Sequence, residues 1–280
     1  MWQQKLGISV ERSFGEPEEA IRLVADIGFE AVSPEWERGG ETEHWIKAAK
    51  EAGLEVQAVH APFQRINALW IEEDERAEDV MAEQIECLRD CAAWGVPVVV
   101  IHAFIGFKDH TPTRIGVERF GVIVAEARKL GVRIALENTE GEEYLAALMQ
   151  AFPEETVGFC WDSGHEMCYN YGRDMLALYG DRLYMTHLND NLGIRDHAGE
   201  ITWLDDLHLL PFDGIADWTY NAQRLNRAKK QDILNFELNI RSKPNRYENL
   251  AYEKMEIHEY LTECYKRACR VAAKVLRERA

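Results

Sequence analysis

The stretch Val157 to His165, VGFCWDSGH, decides how this chain reads. Val157, Phe159 and Trp161, set among small or apolar neighbours, spell a buried strand that ends abruptly in Asp162, Ser163, Gly164 and His165. A carboxylate followed three residues later by an imidazole, across a glycine that lets the backbone turn, aims two metal-ligand groups into one space. Taken alone, such a segment is more often a turn aspartate beside a solvated histidine. What raises its weight is that other apolar runs in the chain end in the same way.

Toward the N-terminus the grammar repeats. Val132 to Glu137 (VRIALE) is a strand ending in a carboxylate with Asn138 beside it, and Val96 to His102 (VPVVVIH) is nearly all β-branched, as in a parallel strand covered on both faces. Leu54 to His60 (LEVQAVH) alternates and ends in a histidine, while Phe29 to Ser33 is a short strand with Pro34, Glu35 and Trp36 just beyond it. Leu6 to Val10 is the first strand. Between these lie helices over Pro17–Ile27, Glu43–Ala52, about Glu72–Trp94, about Thr113–Leu130 and Glu142–Phe152, most stopped by a glycine.

Toward the C-terminus, a helix around Arg173–Tyr179 precedes Leu183 to His187 (LYMTH), the seventh strand. A helix from about Asp217 to Lys229 leads to Ile233 to Glu237 (ILNFE), the eighth, and an amphipathic helix runs from about Tyr252 to Arg279. Leu188 to Ala216 is a long loop carrying Asn189, Asp190, Arg195, His197, Asp206 and His208, and loops of that length are usually functional or disordered. It is open to use as a lid or as a contact in a homo-oligomer. Eight strand-then-helix units without a linker predict an α/β fold, a closed (β/α)8 barrel in which residues 1–280 form one domain. An open doubly wound sheet is the alternative, but the first strand lacks a glycine-rich phosphate fingerprint.

Composition narrows the function. The net charge of -17 opposes sequence-independent binding to nucleic acid, which needs a basic face. No apolar run approaches the ~20 residues that span a bilayer, and Met1 to Val10 lacks a signal core, so a cytoplasmic protein without membrane contact is expected. The six cysteines form no CxxC pair; Cys87 and Cys91, one helical turn apart, read as a reduced, half-buried pair.

In a barrel the C-terminal strand ends share one mouth, so His60, His102, Glu137, Asp162, His187 and Glu237 become neighbours. Each alone is an ordinary polar cap. Together, three carboxylates in a partly dry mouth repel one another and lose hydration unless a cation lies between them. Glu137, Asp162, His187 and Glu237 offer three oxygens and one nitrogen, a mixed set suited to a divalent metal such as zinc, manganese, magnesium or cobalt.

The strand-end motifs HAP at His60, LEN at Glu137, DSGH at Asp162 to His165, HLND at His187 to Asp190 and FE at Glu237 resemble the xylose isomerase-like barrel superfamily, within it the sugar phosphate isomerase/epimerase group. The resemblance covers nearly the whole chain. It implies that Glu137, Asp162, His187 and Glu237 hold one metal, that Glu137 and Glu237 double as the acid/base pair, and that the substrate is a small carbohydrate. Proton transfer beside a carbonyl would then isomerise or epimerise it.

The same superfamily contains the endonuclease IV type of abasic-site nuclease, and the wider set of metal ligands it implies is also present: His60 and His102 beside Glu137, and His165, Asp206 and His208 at another metal. The acidic balance favours sugar chemistry over that rival, with a metal-dependent keto-polyol dehydratase or lyase as a third class. His60, His102 and His165 serve equally as sugar-hydroxyl contacts. Trp36, Phe63, Phe104 and Trp203 are candidates to stack on a sugar ring, and Arg195 to hold a hydroxyl or phosphate. His197 receives no ligand role, and His44, His110 and His258 read as surface residues.

Overall fold

The computed structural model describes residues 4–108, 111–170, 172–195 and 201–279. His110 and His197 therefore lie outside the described residues. The strands are β1 (Lys5–Val10), β2 (Ala31–Pro34), β3 (Glu55–Val56), β4 (Val59–His60), β5 (Val98–His102), β6 (Arg133–Glu137), β7 (Val157–Asp162), β8 (Leu183–His187) and β9 (Ile233–Phe236). All pair in parallel, in two runs: β3-β2-β1-β9 and β4-β5-β6-β7-β8.

Two seams join the runs into a closed TIM barrel. At one, Glu35 bridges His60 in parallel and the Trp36 amide donates to the His60 carbonyl at 2.8 Å. At the other, Leu188 bridges Phe236 and its amide donates to the Asn235 carbonyl at 2.9 Å. The expected third strand, 54–60, is thus one barrel position broken into β3 and β4. Its first half pairs back to β2 and its second half forward to β5, a change of partner at Gln57 and Ala58.

The outer helices are α1 (Pro17–Ile27), α2 (Thr42–Glu51), α3 (Ala77–Trp94), α4 (Arg114–Leu130), α5 (Glu142–Ala151), α6 (Ser163–Cys168), α7 (Met175–Tyr179), α8 (Trp218–Arg227) and α9 (Ile257–Arg279). α3 and α4 stop at Gly95 and Gly131, both at φ 70°, where a side chain would be strained. α3 begins at Ala77 rather than near residue 72, because a 3-10 turn at Ile66–Trp70 comes first and seats the Trp70 ring against Gly116 of α4. Cys87 and Cys91 are free thiols and fully buried, not half-buried. No helix among the described residues is long and apolar enough to cross a membrane.

A small inner core, Ala58, Val98, Val100, Ala135, Cys160, Tyr184 and Met185, fills the barrel. The larger apolar cluster lies between the strands and the helices. Strand side chains alternate between the two sides with period two. The residue two beyond an inner-core residue therefore faces inward one layer higher: Ala58 leads to His60, Val100 to His102, Ala135 to Glu137, Cys160 to Asp162 and Met185 to His187. That stacking puts the polar strand ends at the mouth.

Candidate metal centre

Glu137, at 1% exposure, is the hub of the mouth. Its Oε2 lies 3.2 Å from His60 Nε2 and 3.1 Å from His102 Nε2, while Oε1 lies 2.9 Å from His187 Nδ1 and 3.5 Å from His165 Nδ1. Burial alone would push this carboxyl up, but the surrounding imidazoles hold it well below the usual carboxylate range. Glu237 Oε2 stands 3.2 Å from the same His187 Nδ1. Burial also raises Glu237, and His187 and His208 bring it down to about 2.

Asp162 is fully buried and held from two sides. Its Oδ1 accepts the His165 amide at 2.6 Å, capping the short helix α6, and its Oδ2 accepts Asn189 Nδ2 at 2.8 Å. Burial pushes it up to about 6. Gly164 is required here by space: a Cβ would fall 2.0 Å from Asn189 Oδ1, so any larger residue would displace the amide that orients Asp162.

After β8 the buried Asp190 carboxylate accepts the amides of Asn191, Phe212 and Ala216 and the Trp218 indole at 2.8–3.0 Å. Asp190 also pairs with Leu209 in an antiparallel bridge. This turns Asp206 and His208 back toward the mouth, His208 with φ 48°, a rare conformation for a non-glycine residue. Asp206 then lies 3.5 Å from His165 Nε2 and 3.0 Å from His208 Nε2. Burial disfavours the His208 charge, yet Asp206 raises that imidazole to about 9.

The donors fit a divalent cation. One ligand atom from each of Glu137, Asp162, His187 and Glu237 lies within 4.8 Å of the others. Metal bonds of about 2.1 Å place donors roughly 3 to 4.2 Å apart, so small side-chain movements suffice. Three further groups, His60 with His102 and Glu137, Glu137 with Cys160 and His187, and Asp162 with His165 and His208, meet the same spacing. His165 Nδ1, buried and without a hydrogen-bond partner among the described residues, points into this region. The cluster is consistent with binding of a divalent metal.

A cavity of about 730 Å³ opens above it. Glu137, Glu237, His60, His102, His165, Asp206 and His208 line it, as do Phe63 and Trp203. Phe63 stacks on His102 with centroids 4.3 Å apart. Three expected residues do not line this cavity. Trp36 is buried, its indole donating to Asp90 of α3 at 2.9 Å, and it borders the neighbouring groove rather than this cavity. Arg195 is exposed and also absent from the lining; among the described residues its backbone amide donates to Asp205 Oδ1 at 3.2 Å. Phe104 packs on Tyr144 at 4.0 Å instead of lining the mouth. His44 and His258 are exposed, as expected.

Sequence reasoning missed Glu35, Glu140, Tyr169, Asn239 and Lys243, all of which line the cavity. Glu35, one residue past the end of β2, was open to the same strand-end logic. Lys243 was not, since its place near Asp206, 3.6 Å away, depends on a loop path.

The chain belongs to the xylose isomerase-like TIM barrel family, whose model matches residues 21–264. It is 28% identical to the uncharacterized protein y4fM of Sinorhizobium fredii, a match covering 78% of this chain and 79% of that one. Among solved structures it is similar to an L-ribulose 3-epimerase, with TM-score 0.71, 14% identity and coverage of 99% of this chain and 96% of that one. It is also similar to the IolI protein with a bound zinc atom, with TM-score 0.72, 18% identity and coverage of 97% and 99%. At those identities the two structures speak for the fold.

Proposed function

We propose that the protein is a divalent-metal-dependent isomerase or epimerase of a small sugar or sugar derivative. The observation that carries this reading is the convergence of Glu137, Asp162, His187 and Glu237, from four strands, within 4.8 Å at the floor of an open cavity. A bound divalent cation supplies Lewis-acid stabilisation of negative charge developing on the substrate's oxygens. Zinc or manganese suits the mixed oxygen and nitrogen donors, and the zinc-bound IolI structure supports that choice. The similarity to a ribulose epimerase supports a carbohydrate substrate.

The side chains divide the remaining work. Glu237, whose side chain is 23% exposed, removes the proton beside the carbonyl. Glu137, a carboxylate at rest, takes up a proton from the imidazoles around it and delivers it to the opposite face of the same carbon in epimerisation, or to the neighbouring carbon in isomerisation. Asp162 and His187 complete the metal's ligands, and Asn189 keeps Asp162 in its rotamer. Phe63 and Tyr169 wall the cavity, and the polar groups of His60, Asn239 and Glu140 contact substrate hydroxyls. Metal-dependent incorporation of solvent deuterium into a carbon-bound position of a sugar tests the reading, and absence of exchange across a panel of aldoses and ketoses contradicts it.

A second reading has its own observation. The triads His60, His102, Glu137 and Asp162, His165, His208 extend the donor set beyond one metal, as phosphodiester hydrolysis by a metal cluster would use. Against it, Glu35, Glu137, Glu140, Asp206 and Glu237 line the cavity with Lys243 as its one Lys or Arg among the described residues, a poor surface for a phosphate backbone. Zinc-dependent nicking of abasic DNA would favour this second reading.

A further inference from the structure

The mouth is not the end of the concave surface. A groove of about 560 Å³ runs off from it between the loops that follow β1, β2 and β4, and the two share Glu35, His60 and Phe63. A narrow cavity of about 50 Å³ links the same place to Glu237, Ser9 and Asn239. All three depressions therefore meet at Glu35 and His60, directly beside the candidate proton-transfer carboxylate.

The lining has the chemistry of a sugar subsite. Phe63 is half-buried at the junction and presents an aromatic surface to both sides. Farther out the walls alternate donors and acceptors: Arg12, Arg38 and Gln64 with Glu37, Glu41 and Glu83. Arg12 is held by Glu37 at 3.2 Å and Arg38 by Asp79 and Glu86 at 3.0 and 2.7 Å. With these guanidiniums already paired, the groove offers a neutral hydroxyl-bearing ligand many partners and a phosphate little uncompensated charge. At the junction the Glu35 carboxylate accepts no hydrogen bond and forms no ion pair among the described residues, although the concave setting pushes it up from its ordinary value.

We propose that the groove is a second sugar subsite, so that the substrate is a neutral glycoside or disaccharide whose reacting unit enters the mouth and whose other unit lies along Phe63 and Gln64. Glu35 accepts a hydroxyl at the join between the two units. The inference rests on the isomerase or epimerase reading for what happens to the reacting unit, and on the shared lining for the ligand's size.

Titration calorimetry of the metal-loaded protein with glucose, galactose and fructose, and with maltose, cellobiose, lactose and sucrose, tests it. Gln64→Trp, at an exposed position on the groove wall, fills the groove without touching the mouth. At least one disaccharide should bind ten-fold or more tighter than its component monosaccharides, and Gln64→Trp should erase that advantage while leaving monosaccharide binding and the melting temperature unchanged. If no disaccharide exceeds its monosaccharides, or if the advantage survives Gln64→Trp, the subsite is wrong. The same samples in deuterated solvent separate the two ideas. Groove-dependent binding without carbon-deuterium exchange keeps the subsite and removes the isomerase; exchange on free monosaccharides without a disaccharide advantage does the reverse.

Discussion

His187 Nδ1 lies 2.9 Å from Glu137 Oε1, both side chains at 1% exposure and 50 residues apart in the chain. The same nitrogen is 3.2 Å from Glu237 Oε2, so one imidazole is shared by the two carboxylates proposed to move protons. A buried arrangement of this kind is costly for like charges and is relieved by cations: protons on the imidazoles when no metal is bound, a metal when one is.

Replacing Glu237 with Gln keeps the shape and removes charge and basicity. The variant should fold normally and lose about 10²–10⁴-fold in turnover, the range for a positioned acid or base. Circular dichroism and the rate of solvent-deuterium incorporation check this, and a near-native rate would take Glu237 out of the mechanism.

The metal competes with protons. Burial disfavours the charged form of His187, but Cys160, Glu237 and Glu137 raise it well above the ordinary imidazole value. Loading zinc or manganese at pH 7 should therefore release at least one proton per ion, measurable with an indicator dye in weak buffer. In the metal-free protein, His208 is raised to about 9 by Asp206 against the effect of burial. A raised folded-state value means that this stabilisation is complete below the unfolded imidazole value near 6.5 and disappears as pH climbs through about 9. The metal-free melting temperature should fall over that interval, and a flat profile would contradict the pairing.

Asp190 organises the segment that carries Asp206 and His208. Asp190→Ala leaves three backbone amides and the Trp218 indole without their acceptor, in a region where Asp190 is fully buried. A loss of about 2–4 kcal/mol in unfolding free energy is expected, as for removal of one partner from a buried hydrogen-bonded charge. Urea denaturation measures it, and a loss below about 0.5 kcal/mol, the scale of ordinary surface changes, would show that the loop is held by other contacts.

Gly164→Ala tests crowding at the opening motif. The new methyl would meet Asn189 Oδ1, shifting the amide that donates to Asp162. Metal affinity should fall about ten-fold or more, the usual effect of disturbing a group that orients a metal ligand. Unchanged metal binding by calorimetry would mean that Asn189 does not fix Asp162.

Most of the barrel and its mouth were legible because both follow from period two. Ala135 to Glu137 and Met185 to His187 each step from the inner core to the mouth, and the alternation is visible in the residues themselves. The break of the third strand at Gln57 was hidden, since it is made by a change of pairing partner rather than by a turn residue. Trp36 and Arg195 misled for a related reason. Their nearness to strand ends was real, but the indole found Asp90 on α3 and the guanidinium stayed outside the cavity. Lys243 and Tyr169 reach the mouth through loop and helix paths that tertiary packing alone determines.

Anomalous scattering from crystals of the protein loaded with zinc or manganese tests whether the four strand-end side chains share one ion. One strong peak is expected within about 2.5 Å of Glu137, Asp162, His187 and Glu237 together, the range of such bonds. A map with no peak among those four, or with three comparable peaks spread over His60, His102, His165 and His208 as well, would contradict it.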